Sequence, residues 1–226
     1  MERLDLSKRL HDSIEEKSLL KHPFYQAWNA GTLPVESLRE YAKQYYHFEY
    51  AFPTFLSAVH SRCPYMPVRQ HILQNIWDEE YGDDNHTALW LRFANALGVT
   101  KEEVENAELR PATRELIDTY RDICNTGSFQ DGMAALYAYE AQVPAVAEQK
   151  IAGLKKYYGI DSPKDISFFT VHMEADVSHS ATEEAIVVDN CRTDEEANSA
   201  LQSADVALDC LWRFLDGVYS MESVAK

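Results

Sequence analysis

The chain has 226 residues, of which 46% are hydrophobic and 26% are charged, and it contains only eight glycines and eight prolines. This composition is typical of a folded, helix-rich protein and excludes a disordered chain. The 37 acidic residues outnumber the 21 basic ones and give a net charge of -16. We therefore expect no nucleic-acid partner and no membrane surface partner, because their phosphates need a basic protein face.

The cysteines and the first residues indicate a cellular compartment. Four cysteines stand far apart without a CxxC pair, and no apolar leader opens the chain. Free thiols without a signal peptide favour a reducing environment. The longest stretch that is poor in charge, residues 133–147, is too short to span a bilayer. We therefore expect a soluble, cytoplasmic protein.

Helix start and stop signals recur along the whole chain. In chain order they predict helices over 34–62, 67–97, 100 onward, 111–127, 128–158, 163–191 and 193 onward, with Pro53 and Pro144 interrupting two of them. The last helix carries an apolar stripe with steps of four and three residues, which is typical of a packed face. No strand pattern, linker or internal repeat is present. The sequence predicts an all-α single domain over residues 1–226, with seven or eight helices.

The sharpest chemical motif lies in the predicted helix over 163–191. Asp176 follows His172 by four residues, and His179 follows by seven. On an ideal helix all three side chains leave within about 60° of one another. Two imidazoles and a carboxylate in so narrow an arc suit Fe, Mn or Zn. The alternative is an exposed polar helix face.

Two further clusters offer carboxylates and an imidazole. Glu79 and His86 are seven residues apart, which places them on one face of the predicted helix over 67–97. Glu140 is a single carboxylate in an otherwise apolar and aromatic segment, and burying it without a partner would cost several kcal/mol. A solvated acidic patch explains the first pair equally well, and a hydrogen bond to a core tyrosine would explain Glu140.

Together the clusters supply the donors of a two-metal carboxylate site inside a helical bundle. Thiolates are absent, so a structural zinc site of the cysteine type is not expected. The predicted metal ligands are Glu79, His86, Glu140, His172, Asp176 and His179.

Several segments carry a family resemblance. His22-Pro23-Phe24-Tyr25 with Trp28 resembles the opening of the haem-oxygenase-like superfamily, which includes thiaminase II and the pyrroloquinoline-quinone biosynthesis protein C. The more specific segments are Ala51-Phe52-Pro53, Ser57 to Cys63, Asp78 to His86, Ala135 to Pro144 and Glu174 to His179. They are similar to the family of the chlamydial protein associating with death domains and its bacterial relatives. The match runs from Leu20 to Glu184.

The resemblance implies a haem-oxygenase-like fold that binds no haem. It also implies a non-haem dimetal oxidase, which activates O₂ at an Fe–Fe or Mn–Fe pair and uses an external reductant. It implies an unusual synthesis of para-aminobenzoate for folate, in which the protein's own tyrosine gives the ring and a lysine gives the amine. The matching positions are Tyr25 and Lys150, with Tyr139 as a second tyrosine near the metals. Purely structural roles are the alternative: Tyr25 could belong to an aromatic core, and Lys150 could be a surface lysine.

Other functions stay open on this fold. A cofactor-free oxidase or a thiaminase-like enzyme is one alternative, although the stretch 134–137 lacks the cysteine nucleophile that thiaminase II uses. A non-enzymatic protein that binds death domains is another, and it rests on resemblance alone. A homodimer is compatible with the fold.

Overall fold

The computed structural model describes residues 3–219, and every regular element in that range is helical. The helices are α1 (Arg3–Glu16), α2 (Pro23–Ala30), α3 (Val35–Arg62), α4 (Met66–Glu80), α5 (His86–Ala96), α6 (Lys101–Glu105), α7 (Pro111–Thr126), α8 (Phe129–Glu140), α9 (Val143–Gly153), α10 (Ser167–Asn190) and α11 (Asp194–Tyr219). A 3₁₀ turn (Leu19–Lys21) precedes α2, and a π turn (Leu154–Tyr158) extends α9. The all-α prediction is confirmed. The predicted domain, residues 1–226, also takes in residues 1–2 and 220–226, which lie outside the described residues.

The number of helices differs from the prediction, since residues 3–219 form eleven rather than seven or eight. Two helices, α1 and α2, precede the first predicted one. The predicted helix over 67–97 breaks at Gly82, whose φ of +87° ends a helix, and restarts where the Asn85 side chain accepts a hydrogen bond from the Ala88 amide. The predicted helix over 128–158 breaks ahead of Pro144. Pro53, in contrast, lies inside α3 without ending it.

The predicted end signals are confirmed. Thr100 and Glu103 form a reciprocal capping box at α6. Thr193 and Glu196 bond each other's backbone amides at the start of α11. Gly159 has a φ of +67° where the chain leaves the π turn. These local interactions fix the helix boundaries independently of the core.

Helix α8 lies at the centre of the bundle, and all of its residues are buried. It packs against α3, α7, α10 and α11. The predicted stripe of α11 is buried along its length, at Ala197, Leu201, Ala204, Leu208, Leu211, Leu215 and Val218. A Cβ at Gly132 would stand 2.4 Å from Val59 Cγ2, so this glycine lets α3 approach α8 closely. Helices α3 and α8 therefore face each other across a short gap.

Helix α10 connects the layers that carry the chemical motifs. It packs against α8 and α9 and also contacts α4 and α5. Helix α2 packs on α9, where the Trp28 indole donates a hydrogen bond to the Lys150 carbonyl. Among residues 3–219, no helix combines the length and the apolar character that crossing a membrane requires.

Candidate metal centre

Seven buried or half-buried side chains form two adjacent groups of metal-binding atoms. Within each group, one donor atom from every residue lies within 4.8 Å of the others. Cluster 1 consists of Glu49, Glu79, His86 and His172. Cluster 2 consists of Glu140, Asp176 and His179. Nitrogen and oxygen donors in this number suit Fe or Mn.

The structure brings together all six residues that the sequence singled out. The three residues of the α10 motif divide between the clusters, since His172 belongs to cluster 1 while Asp176 and His179 belong to cluster 2. Glu79 and His86 meet, but on two different helices rather than on one helical face. The loop at residues 81–85 turns α5 back so that His86 Nδ1 lies 2.7 Å from Glu79 Oε2.

Glu49 is absent from the predicted ligand set, although the structure places it in cluster 1. Its Oε1 lies 3.6 Å from His172 Nε2 and 3.9 Å from His86 Nδ1. The residue is 2% exposed and shares the buried side of α3 with Tyr45 and Phe48. A lone carboxylate among aromatic residues is the same signal that singled out Glu140, so the sequence contained the information.

Unpartnered buried atoms show that these residues suit metal ions. Five donor atoms of the two clusters are buried without a hydrogen-bond partner: Glu49 Oε1, His86 Nδ1, Glu140 Oε2, Asp176 Oδ2 and His179 Nδ1. Although His86 Nδ1 is close to Glu79, the pair lies outside hydrogen-bonding geometry. Buried polar atoms without partners are costly, and bound cations would satisfy them. The donor set therefore fits two metal ions.

Neighbouring groups orient three of these side chains. The Phe168 carbonyl accepts a hydrogen bond from His172 Nδ1 at 2.8 Å, which leaves Nε2 free to bind a metal. Asn75 donates to Glu140 Oε1 at 3.0 Å. Asp78 Oδ2 lies 3.3 Å from His179 Nε2, which leaves Nδ1 pointing toward cluster 2. Such supporting contacts are typical of metal sites.

Burial and the charges of neighbouring side chains shift the pKa values of the cluster residues. Burial, with Asp176 beside it, raises the pKa of Glu140 to about 8. Burial and Glu49 raise the pKa of Glu79 well above its usual value. Burial opposes the charge on His179, yet Asp176 and Glu140 raise its pKa to about 9. Titrating groups packed this closely are typical of functional sites.

On one side, the metal centre adjoins a buried aromatic space, which we call the tyrosine chamber. Its polar lining groups are Tyr25, Tyr41, Tyr45, Tyr139, Lys150 and His172. The chamber has a free volume of about 20 Å³. That is room for about one water molecule. The three predicted catalytic residues, Tyr25, Tyr139 and Lys150, therefore lie in one space with a predicted metal ligand.

Hydrogen bonds connect the side chains of the tyrosine chamber. Lys150 Nζ donates to the Tyr41 hydroxyl at 2.8 Å, and the Tyr25 and Tyr41 hydroxyls are 3.2 Å apart. The Tyr45 and Tyr139 hydroxyls also share a hydrogen bond. The Lys150 ammonium lies 5.4 Å from the centre of the Tyr25 ring. Lys150 is thus a buried residue of the chamber rather than a surface lysine.

Burial shifts the pKa values of the Lys150 and Tyr25 side chains in the chamber. It lowers the pKa of Lys150 to about 7, and only the charge of Glu49 opposes this. Burial raises the pKa of Tyr25 above its usual value, although the Tyr41 hydrogen bond lowers it slightly. Near neutral pH, a large fraction of Lys150 is therefore the free amine, which is the nucleophilic form.

On its other side, the metal centre adjoins a larger space of about 200 Å³, which we call the polar cavity. Its polar lining residues are His71, Gln74, Asn75, Asp78, Ser178, His179, Thr182 and Glu183. Glu183 is buried, and both of its carboxylate oxygens lack a hydrogen-bond partner. Burial and Glu140 raise the pKa of Glu183 well above its usual value.

The thiols lie outside both metal clusters. All four cysteines are free, and three of them are buried. Burial, reinforced by Glu183, raises the pKa of the Cys124 thiol to about 12. Such a thiol is a poor nucleophile at neutral pH, so Cys124 does not suit the cysteine-dependent chemistry of a thiaminase.

Comparisons with known proteins agree with the fold and the donor set. Residues 39–212 match the family model described as an iron-containing redox enzyme. The chain is 44% identical to the 4-aminobenzoate synthase of Nitrosomonas europaea over 91% of this chain and 87% of that protein. It is 43% identical to the 4-aminobenzoate synthase of Chlamydia pneumoniae over 91% of each chain.

A solved structure confirms the architecture. A Shewanella denitrificans domain of unknown function with a haem oxygenase-like fold superposes with a TM-score of 0.83 at 18% identity, over 99% of this chain and 94% of that one. Identity this low bears on the fold alone, and it agrees with the fold that the sequence motifs predict. Since the family model covers most of the chain, the protein belongs to the family of iron-containing redox enzymes with a haem-oxygenase-like fold.

Proposed function

We propose that this protein synthesises 4-aminobenzoate at a two-metal centre, with Tyr25 as the source of the ring and Lys150 as the source of the amine. The names of the relatives in Nitrosomonas and Chlamydia support the product. The two clusters of buried donors support two metal ions. When bound, the metals would activate O₂, which would supply the oxidising equivalents for the reaction.

The size of the tyrosine chamber is the observation that carries the proposal. A cavity that holds a benzene-sized ring has about 150 Å³, whereas the chamber leaves about 20 Å³. An external aromatic substrate therefore has no room in the tyrosine chamber, where Tyr25 and Lys150 lie. The aromatic rings already present are those of the chain itself, which favours an internal substrate.

Each chamber residue has a role that follows from its contacts. Lys150 presents an amine beside the Tyr25 ring, and its pKa of about 7 leaves much of that amine uncharged. Tyr41 holds both groups through its hydroxyl. Tyr139 is the second candidate tyrosine, because it precedes Glu140 in the chain. Its hydroxyl shares a hydrogen bond with the Tyr45 hydroxyl. A reactant that is part of the protein is already oriented and needs no binding step.

The proposal also covers the identity of the metals, of the oxidant and of the reductant. The same nitrogen and oxygen donors serve Fe–Fe and Mn–Fe, and metal supply can decide between them. We propose that O₂ is the oxidant and that a reductant comes from outside the protein. Anaerobic loading with Fe²⁺ alone or with Mn²⁺ and Fe²⁺, followed by exposure to O₂, would identify the active pair by product yield.

Isotope labelling tests the internal substrate. Protein made with ring-labelled tyrosine is loaded with metal and exposed to O₂ and a reductant, and we expect the label in released 4-aminobenzoate. Tyr25→Phe should stop product formation while two metals stay bound. Tyr158→Phe is the matched control, because Tyr158 also packs on Trp28 but lies outside the chamber. Product from Tyr25→Phe, or a yield far above one per chain, would contradict the proposal.

A further inference from the structure

We propose that the polar cavity is the route by which divalent cations reach the metal centre, and that Asp78 and Glu183 form a transit binding site on that route. The inference rests on the proposed two-metal centre and assigns a role to residues that the centre itself does not use. The ligand class is a divalent cation of the Fe²⁺ or Mn²⁺ type, which prefers carboxylate and imidazole donors.

The cavity leads from the surface to cluster 2. Its outer lining includes the exposed residues His71, Gln74 and Ser178. Its inner lining includes Asn75, which bonds Glu140, and His179, which belongs to cluster 2. With about 200 Å³, the cavity has room for several water molecules or for a partly hydrated ion.

Glu183 points to a cationic ligand in this cavity. It is 3% exposed, it lines the cavity, and both of its oxygens lack a hydrogen-bond partner. A buried carboxylate without a partner is costly, and a cation in the adjoining space would compensate it. The next residue, Glu184, differs because it accepts a hydrogen bond from Ser7 on α1.

Asp78 supplies a second carboxylate on the outer side of His179. Its side chain is 36% exposed, and its Oδ2 lies 3.3 Å from His179 Nε2. Asp78 is thus the more exposed and Glu183 the more buried of the two carboxylates that line the cavity beside cluster 2. Carboxylates that line a cleft of low dielectric raise the local cation concentration and the association rate.

Cluster 1 has no comparable opening among the described residues. Its four side chains are at most 5% exposed, and His172 adjoins only the nearly filled tyrosine chamber. In cluster 2, the His179 side chain is 12% exposed at the cavity wall. Cluster 2 should therefore gain and lose its ion faster than cluster 1.

Rates of metal uptake test the route, with Co²⁺ alone as the probe. Metal-free full-length protein is mixed with Co²⁺ in a stopped-flow instrument, and the visible absorption of bound Co²⁺ is followed. We expect Glu183→Gln to slow uptake into cluster 2 by about tenfold, because the carboxylate that would bind the entering cation becomes an amide, while the final stoichiometry stays at two Co²⁺ per chain. Glu184→Gln is the matched control and should take up Co²⁺ at the rate of the parent protein.

A steric variant tests the same route without changing charge. Ser178→Trp should narrow the mouth of the cavity and slow both uptake and removal of Co²⁺ by a chelator. Val177→Trp is its control, because Val177 is 61% exposed on the same helix but does not line the cavity.

The possible outcomes separate the two proposals. Equal rates in Glu183→Gln, Ser178→Trp and their controls would refute the entry route while leaving the metal centre intact. Loss of one Co²⁺ from Glu183→Gln at equilibrium would refute a transit role, because Glu183 would then be a permanent ligand. Fewer than two Co²⁺ bound to the parent protein would refute the proposed two-metal centre itself.

Discussion

The tyrosine chamber and the polar cavity meet the metal centre at two histidines of one helix, His172 and His179, yet they differ in almost every property. The chamber is buried, aromatic and nearly filled, whereas the cavity is ten times larger and has carboxylates and amides in its lining. The chamber holds hydrogen-bonded hydroxyls and an amine, while the cavity holds a carboxylate without partners. The comparison separates a side suited to reaction from a side suited to exchange with solvent.

This difference has a physical consequence for an internal substrate. A reactive ring and amine are best kept away from water, because water competes for reactive intermediates and screens charges. Metal ions and protons, in contrast, must come from solvent. We infer that α10 serves both needs because its single buried face spans the two spaces, with His172 at one and His179 at the other.

The largest expected effect comes from removing a metal ligand on either side. His172→Ala deletes a donor of cluster 1, and Asp176→Ala deletes a donor of cluster 2. Each should lose one metal ion and all O₂ reactivity while keeping its helical content, because the packing face of α11 is untouched. Metal analysis and circular dichroism check this. Two metals in both variants would contradict the assignment of the clusters.

The next effect concerns the charge of Lys150, which is buried in the chamber. Its folded pKa is about 7, below the ordinary value of 10.5. Between these values the unfolded chain holds a proton that the folded chain lacks, so the free energy of unfolding rises with pH. Below pH 7 the folded protein buries a charge, and the cost of several kcal/mol is present in full.

Lys150→Met should therefore stabilise the metal-free protein most at pH 7 and below, with the gain vanishing as the pH approaches 10.5. Denaturation of the metal-free protein over this pH range measures the effect. Lys155→Met, at an exposed lysine one turn away, is the control. A stability difference that does not change with pH would show that folding leaves the pKa of Lys150 at its ordinary value, and it would contradict the burial of this amine in the chamber.

A smaller effect comes from the hydroxyl that joins the chamber groups. Tyr41→Phe removes the acceptor of the Lys150 hydrogen bond and the partner of the Tyr25 hydroxyl. Leaving buried polar groups unpaired should cost about 1–3 kcal/mol of stability. Product formation should slow without loss of metal, since Tyr41 belongs to neither cluster. Tyr46→Phe is a suitable control, because the Tyr46 hydroxyl bonds Glu105 instead. Equal losses in both variants would contradict the positioning role.

The sequence predicts the fold and six of the cluster residues well, for identifiable reasons. Caps, prolines and glycines are local signals, so most helix ends follow from them. The sequence predicts that Glu79 and His86 lie close together. It does not predict that they lie on two helices, because the break near Gly82 depends on how α5 packs. Glu49 is missed because α3 also carries Glu36 and Glu40, so one more acidic residue in this long helix does not stand out. The two spaces could not be predicted at all, because cavity size depends on how whole helices pack.

The position of Lys150 shows how tertiary contacts decide a role. On one ideal helix, its ten-residue separation from Glu140 would place it about 80° off the face of Glu140. The break at Gln142 instead redirects α9, and Trp28 holds that helix through the Lys150 carbonyl. The side chain then points into the chamber beside Tyr25.

Peptide mass mapping after one exposure to O₂ tests the central claim most directly. Metal-loaded protein is allowed to react with O₂ and a reductant, and every tyrosine-containing peptide and the released 4-aminobenzoate are quantified in the same sample. We expect the peptide containing Tyr25 to lose its aromatic side chain in proportion to product, with at most about one product per chain. Product formed while the Tyr25 peptide and all other tyrosine peptides stay intact would contradict an internal substrate.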